Sequence, residues 1–317
     1  MMYLLVLVGL VLLFFGGELL VRGAVNIAER LGVSSLLIGL ILVGFGTSTP
    51  ELVTSILAIY ENKPGIAVGN VVGSNIANIL LILGVAALIY PVSCNKQAFK
   101  RDGSFMILAV LAALGVCVMG SMNMVLGGLF VLLLASYIGY SIYSERRAQQ
   151  QKNVADGVVQ RNISMPLILK DFGIFCVGLI LTIIGAKTLV TGSIDLARGF
   201  GVSETIIGLT VVAVGTSMPE LVASCIAAWK KQSDIAFGNI IGSNIYNILG
   251  ILGITGLIHP FAVPEQIMDF DIWVMVGASF LLMIFAAWGW SISRVKGGVF
   301  LGLYCAYTIA LIITAQG

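Results

Sequence analysis

Runs of about twenty apolar residues follow one another along almost the whole chain, separated by short polar turns, and that is the length a helix needs to cross hydrocarbon. Nothing else in the sequence limits the fold so strongly. An open strand edge in lipid would leave N–H and C=O groups unsatisfied, so the runs are read as helices. Composition agrees: 59% of residues are hydrophobic and 10% charged, where a soluble domain carries about a quarter charged residues. The net charge of +2 comes from basic residues dispersed among short loops, which excludes the concentrated basic face of a nucleic-acid-binding protein. Cys94, Cys117, Cys176, Cys225 and Cys305 keep no metal or redox spacing and read as small apolar fillers. The apolar N-terminus lacks a preceding basic residue and a small-residue cleavage site, so it is read as a first span rather than a signal peptide.

Ten spans are expected: residues 2–22 with an amphipathic extension to 30, then 34–60, 65–89, 103–119, 124–143, 171–196, 203–229, 234–258, 270–290 and 297–314. They divide the chain into a first half, 1–143, a polar linker region, 144–166, and a second half, 167–317. The linker carries Arg146, Arg147, Lys152 and Arg161 and is too short for a folded regulatory domain. Assigning the turns alternately to the two sides puts fourteen Lys and Arg on one side, and little more than Lys63 and Arg198 on the other. Lys187 lies inside the sixth span. The positive-inside rule then places both termini outside and the linker in the cytoplasm of a multi-pass protein of the cell membrane.

Two blocks are written twice. Gly44-Phe-Gly-Thr-Ser-Thr-Pro-Glu51 returns 169 positions later, closing on Val214-Gly-Thr-Ser-Met-Pro-Glu220, with Ala213 opposite Gly44. At the same offset Gly69-Asn-Val-Val-Gly-Ser-Asn-Ile-Ala-Asn78 returns as Gly238-Asn-Ile-Ile-Gly-Ser-Asn-Ile-Tyr-Asn247. Each half holds five spans, an odd number, so the second copy enters the membrane from the opposite side. The expected fold is therefore an all-α membrane protein of ten transmembrane helices in two inverted-topology five-helix repeats, an arrangement of many secondary transporters that bind cargo near the midplane.

Most of the fifteen acids lie at span ends, but Glu51 and Glu220 fall mid-span, where a carboxylate is costly and a functional role is the default reading. A protonated Glu hydrogen-bonded across a helix interface is the plainer alternative. Pro50 and Pro219 each remove an N–H and push the preceding turn open, so both helices should break at mid-membrane and free carbonyls near Gly44–Thr47 and Ala213–Thr216. Thr47, Ser48 and Glu51 can share one helix face, as can Thr216, Ser217 and Glu220. Ser74 with Asn78, and Ser243 with Asn247, stand four apart in the other block. Their glycines suit close helix packing. The two serines fit interface hydrogen bonding as well as ligation. Two carboxylates, two amides, four hydroxyls and several carbonyls form an all-oxygen set, which suits hard cations and not zinc, copper or iron. Two negative charges balance one Ca²⁺, and the same cluster divides into smaller positions for Na⁺. Mg²⁺ suits it less, since it parts reluctantly with its waters.

With these motifs, G-T-S-x-P-E and G-N-x-x-G-S-N-x-x-N in both halves, the chain resembles the sodium/calcium exchangers of the calcium/cation antiporter superfamily. The resemblance covers essentially the whole chain. It implies exchange of about three Na⁺ for one Ca²⁺ by alternating access, with Na⁺ and Ca²⁺ as cargo, no cofactor and a lipid bilayer as surroundings. It further implies Glu51 and Glu220 as shared ligands, with Thr47 and Thr216 adding backbone carbonyls to the Ca²⁺ position. Ser48, Ser74 and the Gly44 carbonyl would build a Na⁺ position toward the cytoplasm. Ser217, Ser243 and the Ala213 carbonyl would build an outer one, and Asn78 and Asn247 would complete the centre with a water. Some relatives, including the potassium-dependent exchangers, carry Asp where Asn247 stands, so potassium independence is expected here. The short linker leaves no room for the calcium-sensing domains of animal exchangers, which fits a prokaryotic type, expected to be monomeric. The first and sixth spans, with Gly16, Gly17 and Gly185, are the expected moving parts. A calcium/proton antiporter is the nearest rival, followed by a cation channel. An intramembrane hydrolase fits poorly, because the single histidine, His259, has no serine or metal partner in the pattern.

Overall fold

A computed structural model of the chain describes residues 2–155, 165–200 and 213–316. The first helix, α1 (Met2–Leu31), is one unbroken rod. It stops at Gly32, whose φ of +63° is open to a residue without Cβ. The Ser34 hydroxyl then accepts from Leu37 N at 3.2 Å and caps α2 (Ser35–Thr47). A bend of 40° separates α2 from α3 (Thr49–Tyr60). There follow α4 (Pro64–Ile89), α5 (Lys96–Val118), α6 (Met124–Ala155), α7 (Met165–Gly199), α8 (Ala213–Thr216), α9 (Met218–Trp229), α10 (Ser233–Ile258), α11 (Ile267–Ala287) and α12 (Arg294–Gln316).

Among the described residues eight helices are long and apolar enough to span a membrane, and nine if α2 and α3 count as one bent span. Of the expected seventh span, residues 203–212 lie outside the described residues, and α8 and α9 are the remainder. Three helices outrun their apolar stretches. Helix α5 begins at Lys96 rather than 103, α6 continues past 143 to Ala155 inside the expected linker, and α7 starts at Met165 rather than 171. Hydropathy marks only the part of a helix that meets lipid; the backbone ladder continues wherever polar side chains find partners. Arg101 shows this, with Nε at 2.8 Å from Asp102 while Nη1 lies 3.8 Å from Glu145 of α6.

The helices carrying the second duplicated block occupy the centre. In the most apolar window of α4, 72% of residues are buried, and in that of α10, 83%, against 11% in α12. Both central helices carry a π-helical stretch, Asn78–Ile82 and Tyr246–Leu252, beginning at the end of the duplicated block. These wider turns sit where functional sites often do. Large apolar side chains such as Leu4, Leu7, Val125 and Leu132 stay exposed on the outer helices, as a lipid-facing belt requires.

Helices α1 and α7 form one antiparallel pair held by glycines seven apart, Gly9, Gly16 and Gly23 against Gly178, Gly185 and Gly192. A Cβ on Gly9 would lie 2.6 Å from Leu189 N, and one on Gly185 would lie 2.8 Å from Leu13 N, so the backbones touch. One end is fastened by Arg30 and by Asn26 Nδ2, both on Asp171. Four two-residue strands that the apolar pattern does not announce tie loops together. β1 (Val92–Ser93) pairs antiparallel with β4 (Ser291–Ile292), and β2 (Ser121–Met122) with β3 (Phe261–Ala262).

Candidate cation site

The two prolines set the geometry. The backbone leaves the helical region at Ser48 (φ −81°, ψ 7°) and at Ser217 (φ −87°, ψ 10°), just ahead of Pro50 and Pro219. Glu51 and Glu220 therefore fall in the first turns of α3 and α9, at the positive ends of those helices. Both are 1% exposed. Ser48 Oγ donates to Glu220 Oε1 at 2.8 Å, and Ser217 Oγ donates to Glu51 Oε1 at 3.5 Å. Each carboxylate is thus met by a hydroxyl from the opposite half of the chain.

The other oxygens have no protein partner. Glu51 Oε2 and Glu220 Oε2 are buried without a hydrogen bond, as are Asn78 Oδ1 and both side-chain polar atoms of Asn247. Buried polar atoms are ordinarily paired, so orphans on these four residues, with Asn75 Oδ1 a fifth in the duplicated blocks, call for a ligand. Among the described residues no lysine, arginine or histidine forms an ion pair with either carboxylate, and no three His, Cys, Asp or Glu gather into a conventional metal cluster.

The remaining expected residues fall around this pair. Ser243 Oγ donates to the Gly44 carbonyl at 3.1 Å. A Cβ on Gly44 would lie 2.9 Å from Ser243 N, so only glycine lets α2 rest so closely on α10. The Thr47 hydroxyl is committed to other groups, at 3.0 Å from Val43 O and 3.2 Å from Asn239 Oδ1, which leaves its carbonyl as the group it has to offer. Asn78 Nδ2 donates to Asn244 Oδ1 at 3.1 Å. Ser74 is buried on α4, Ala213 opens α8, and Thr216 with Pro219 lines a cavity of about 280 Å³ between the two breaks and α7.

The resemblance groups Ser74 with the Gly44 carbonyl and Ser243 with that of Ala213; in the structure the Ser243 hydroxyl lies on the Gly44 carbonyl, and α8 packs against α4. The halves cross over ahead of the breaks: α2 and α8 lie on the second-block helix of the other half, while α3 and α9 lie on that of their own.

Four further residues support the carboxylates. Asn70 Nδ2 donates to the Glu51 carbonyl at 3.0 Å and to Ser55 Oγ at 2.9 Å; Asn239 Nδ2 donates to the Glu220 carbonyl at 3.2 Å and to Ser224 Oγ at 2.8 Å. The signal was in the sequence, since each Asn follows the first glycine of its duplicated block and each Ser stands four after its Glu.

The family model for sodium/calcium exchanger protein matches residues 1–143 and 170–313, leaving out only the linker region and a few terminal residues. The chain belongs to the sodium/calcium exchanger family. Within this exchanger family it is similar to sodium/calcium exchanger MaX1 of Methanosarcina acetivorans, at 37% identity over 98% of each chain. It is also similar to inner membrane protein YrbG of Escherichia coli, at 34% identity over 92% of this chain and 90% of that one. Among solved structures, the sodium-calcium exchanger NCX_Mj soaked with 10 mM Na⁺ and zero Ca²⁺ superimposes with a TM-score of 0.84. It is 31% identical over 98% of this chain and 100% of that one. The exchanger-family chain is therefore a helical membrane protein of a transporter family, and its buried oxygen cluster stands where both duplicated blocks meet.

Proposed function

We propose that this chain is a potassium-independent antiporter that exchanges about three Na⁺ for each Ca²⁺ by alternating access. One observation carries the reading. Glu51 and Glu220 meet at the crossing of the two halves, each with one oxygen held by an opposing serine and the other left for a cation. Two carboxylates match the charge of one Ca²⁺ at the centre, with the carbonyls of Thr47 and Thr216 and the amides of Asn78 and Asn247 completing an oxygen shell. Ser48, Ser243 and the Gly44 carbonyl serve one flanking Na⁺ position. Ser217, Ser74 and the Ala213 carbonyl serve the other. Because the positions share the same two carboxylates, a divalent load and a sodium load exclude each other. Asn at 247 leaves only two acids at the centre, which favours independence from K⁺.

The loop pairing supports ten spans with inverted halves. Strand β1 follows α4 and β4 follows α11, and two paired loops lie on one side of the membrane. Five long helices, α5, α6, α7, α10 and α11, separate them. An even number of crossings is needed, which supports a further crossing by the segment to which α8 and α9 belong. With fourteen Lys and Arg on the linker side, the linker is cytoplasmic and both termini are outside. We take the protein to act as a monomer in the cell membrane.

Proteoliposomes loaded with Na⁺ test the exchange. Radiolabelled Ca²⁺ uptake should follow the Na⁺ gradient, be indifferent to K⁺ and fail when a pH gradient replaces Na⁺. Uptake driven by the pH gradient alone would instead make the protein a calcium/proton antiporter.

A further inference from the structure

Lys187 is a charged residue inside a span, exposed on α7, that neither the ion cluster nor an ion pair among the described residues takes up. It stands on α7 five residues past the helix midpoint, about 8 Å along the axis, so it lies at hydrocarbon depth. An ammonium at that depth calls for a partner or a polar cavity. Among the described residues no carboxylate pairs with it. The contrast with the other half is direct: the equivalent position, 169 earlier, is Glu18, and Glu18 Oε1 is held by Lys230 Nζ at 2.8 Å. Lys187 instead lines the cavity of about 280 Å³ together with Pro50, Thr54, Thr216 and Pro219. Those residues flank both carboxylates. By the ten-span topology, Thr54, Gly215 and Lys187 all lie on the extracellular side of the glutamates, so the cavity lies beside the buried site on its outer side.

We infer that Lys187 is a specificity-determining residue, a fixed positive charge in the outer vestibule that discriminates between entering cations by valence. The inference rests on the antiport reading and on its topology. A fixed potential lowers the local concentration of a monovalent ion by some factor and that of a divalent ion by the square of it. At a range on the order of 10 Å and an effective dielectric of about 50, the factors are about threefold for Na⁺ and about ninefold for Ca²⁺. Lys187 therefore weakens extracellular Ca²⁺ rebinding more than Na⁺ entry, and the uncharged Thr191 one turn on leaves its charge unbalanced.

The test is the half-saturating external Ca²⁺ and Na⁺ concentrations for unaltered protein, Lys187→Gln, Lys187→Arg and Lys187→Glu, measured in sided vesicles at fixed low ionic strength. Lys187→Gln should lower the Na⁺ value about threefold and the Ca²⁺ value about ninefold, Lys187→Glu should lower both further, and Lys187→Arg should retain the original values. Added choline chloride should shrink the differences, because salt screens a vestibule charge. Equal shifts for the two ions, no shift, or Lys187→Arg behaving like Lys187→Gln would overturn the inference while exchange by the unaltered protein upholds the antiport reading. Absence of exchange in the unaltered protein would overturn both.

Discussion

Ser48 and Ser217 each spend their hydroxyl on the carboxylate of the opposite half, and the free oxygens beside them decide what substitutions should do. Glu51→Gln keeps the shape and removes one of two charges facing Ca²⁺. Calcium affinity should fall at least about 100-fold, equivalent to about 3 kcal/mol, by equilibrium binding to purified protein. Glu220→Gln should match it. Asn239→Ala removes the donor shared by the Glu220 carbonyl and Ser224 Oγ, leaving both buried and unmatched at a cost of about 1–3 kcal/mol. A lower unfolding temperature and exchange slowed about tenfold are expected, and Asn70→Ala should do the same through Glu51. Unchanged melting in both variants would remove the support role given to these amides.

At the scale of elements, the glycine ladder makes α1 and α7 one body. Gly16 and Gly185 lie in the contact between them, while Gly17 faces Val222 and Ile226 of α9 across the seam to the rest of the protein. A disulfide between Gly17→Cys and Val222→Cys, in a background without the five native cysteines, should halt exchange until reduced. Undiminished flux in the crosslinked protein would mean that α1 does not slide over α9. The duplicated blocks made the helix breaks ahead of Pro50 and Pro219 and the buried glutamates legible in advance, because proline chemistry and the cost of a charge in lipid act locally. The crossing of Ser243 onto Gly44 was not legible. It depends on how the two halves interlock, and residue spacing within either half is blind to that. The π-turns and the four short strands were hidden for a related reason. They answer to neighbouring helices and to loop ends meeting across the chain, with no periodicity of their own.

For the whole molecule, the pairing of β1 with β4 and of β2 with β3 fixes which loops share a face. Single cysteines in place of Met119 and Trp288, both exposed beside these strands, report it directly. An impermeant thiol reagent should label the first from outside the cell and the second only from the cytoplasm, whereas labelling of both from one side would break the ten-span topology. On the proposed topology one carboxylate from each half comes to the same place, as the crossed serine contacts require. The most direct measurement of the central claim is anomalous diffraction from crystals grown in saturating Ca²⁺. A calcium peak between Glu51 and Glu220, lost when the crystals are soaked in Na⁺, is the predicted result; a peak elsewhere, with no ion between the two carboxylates, would contradict the account.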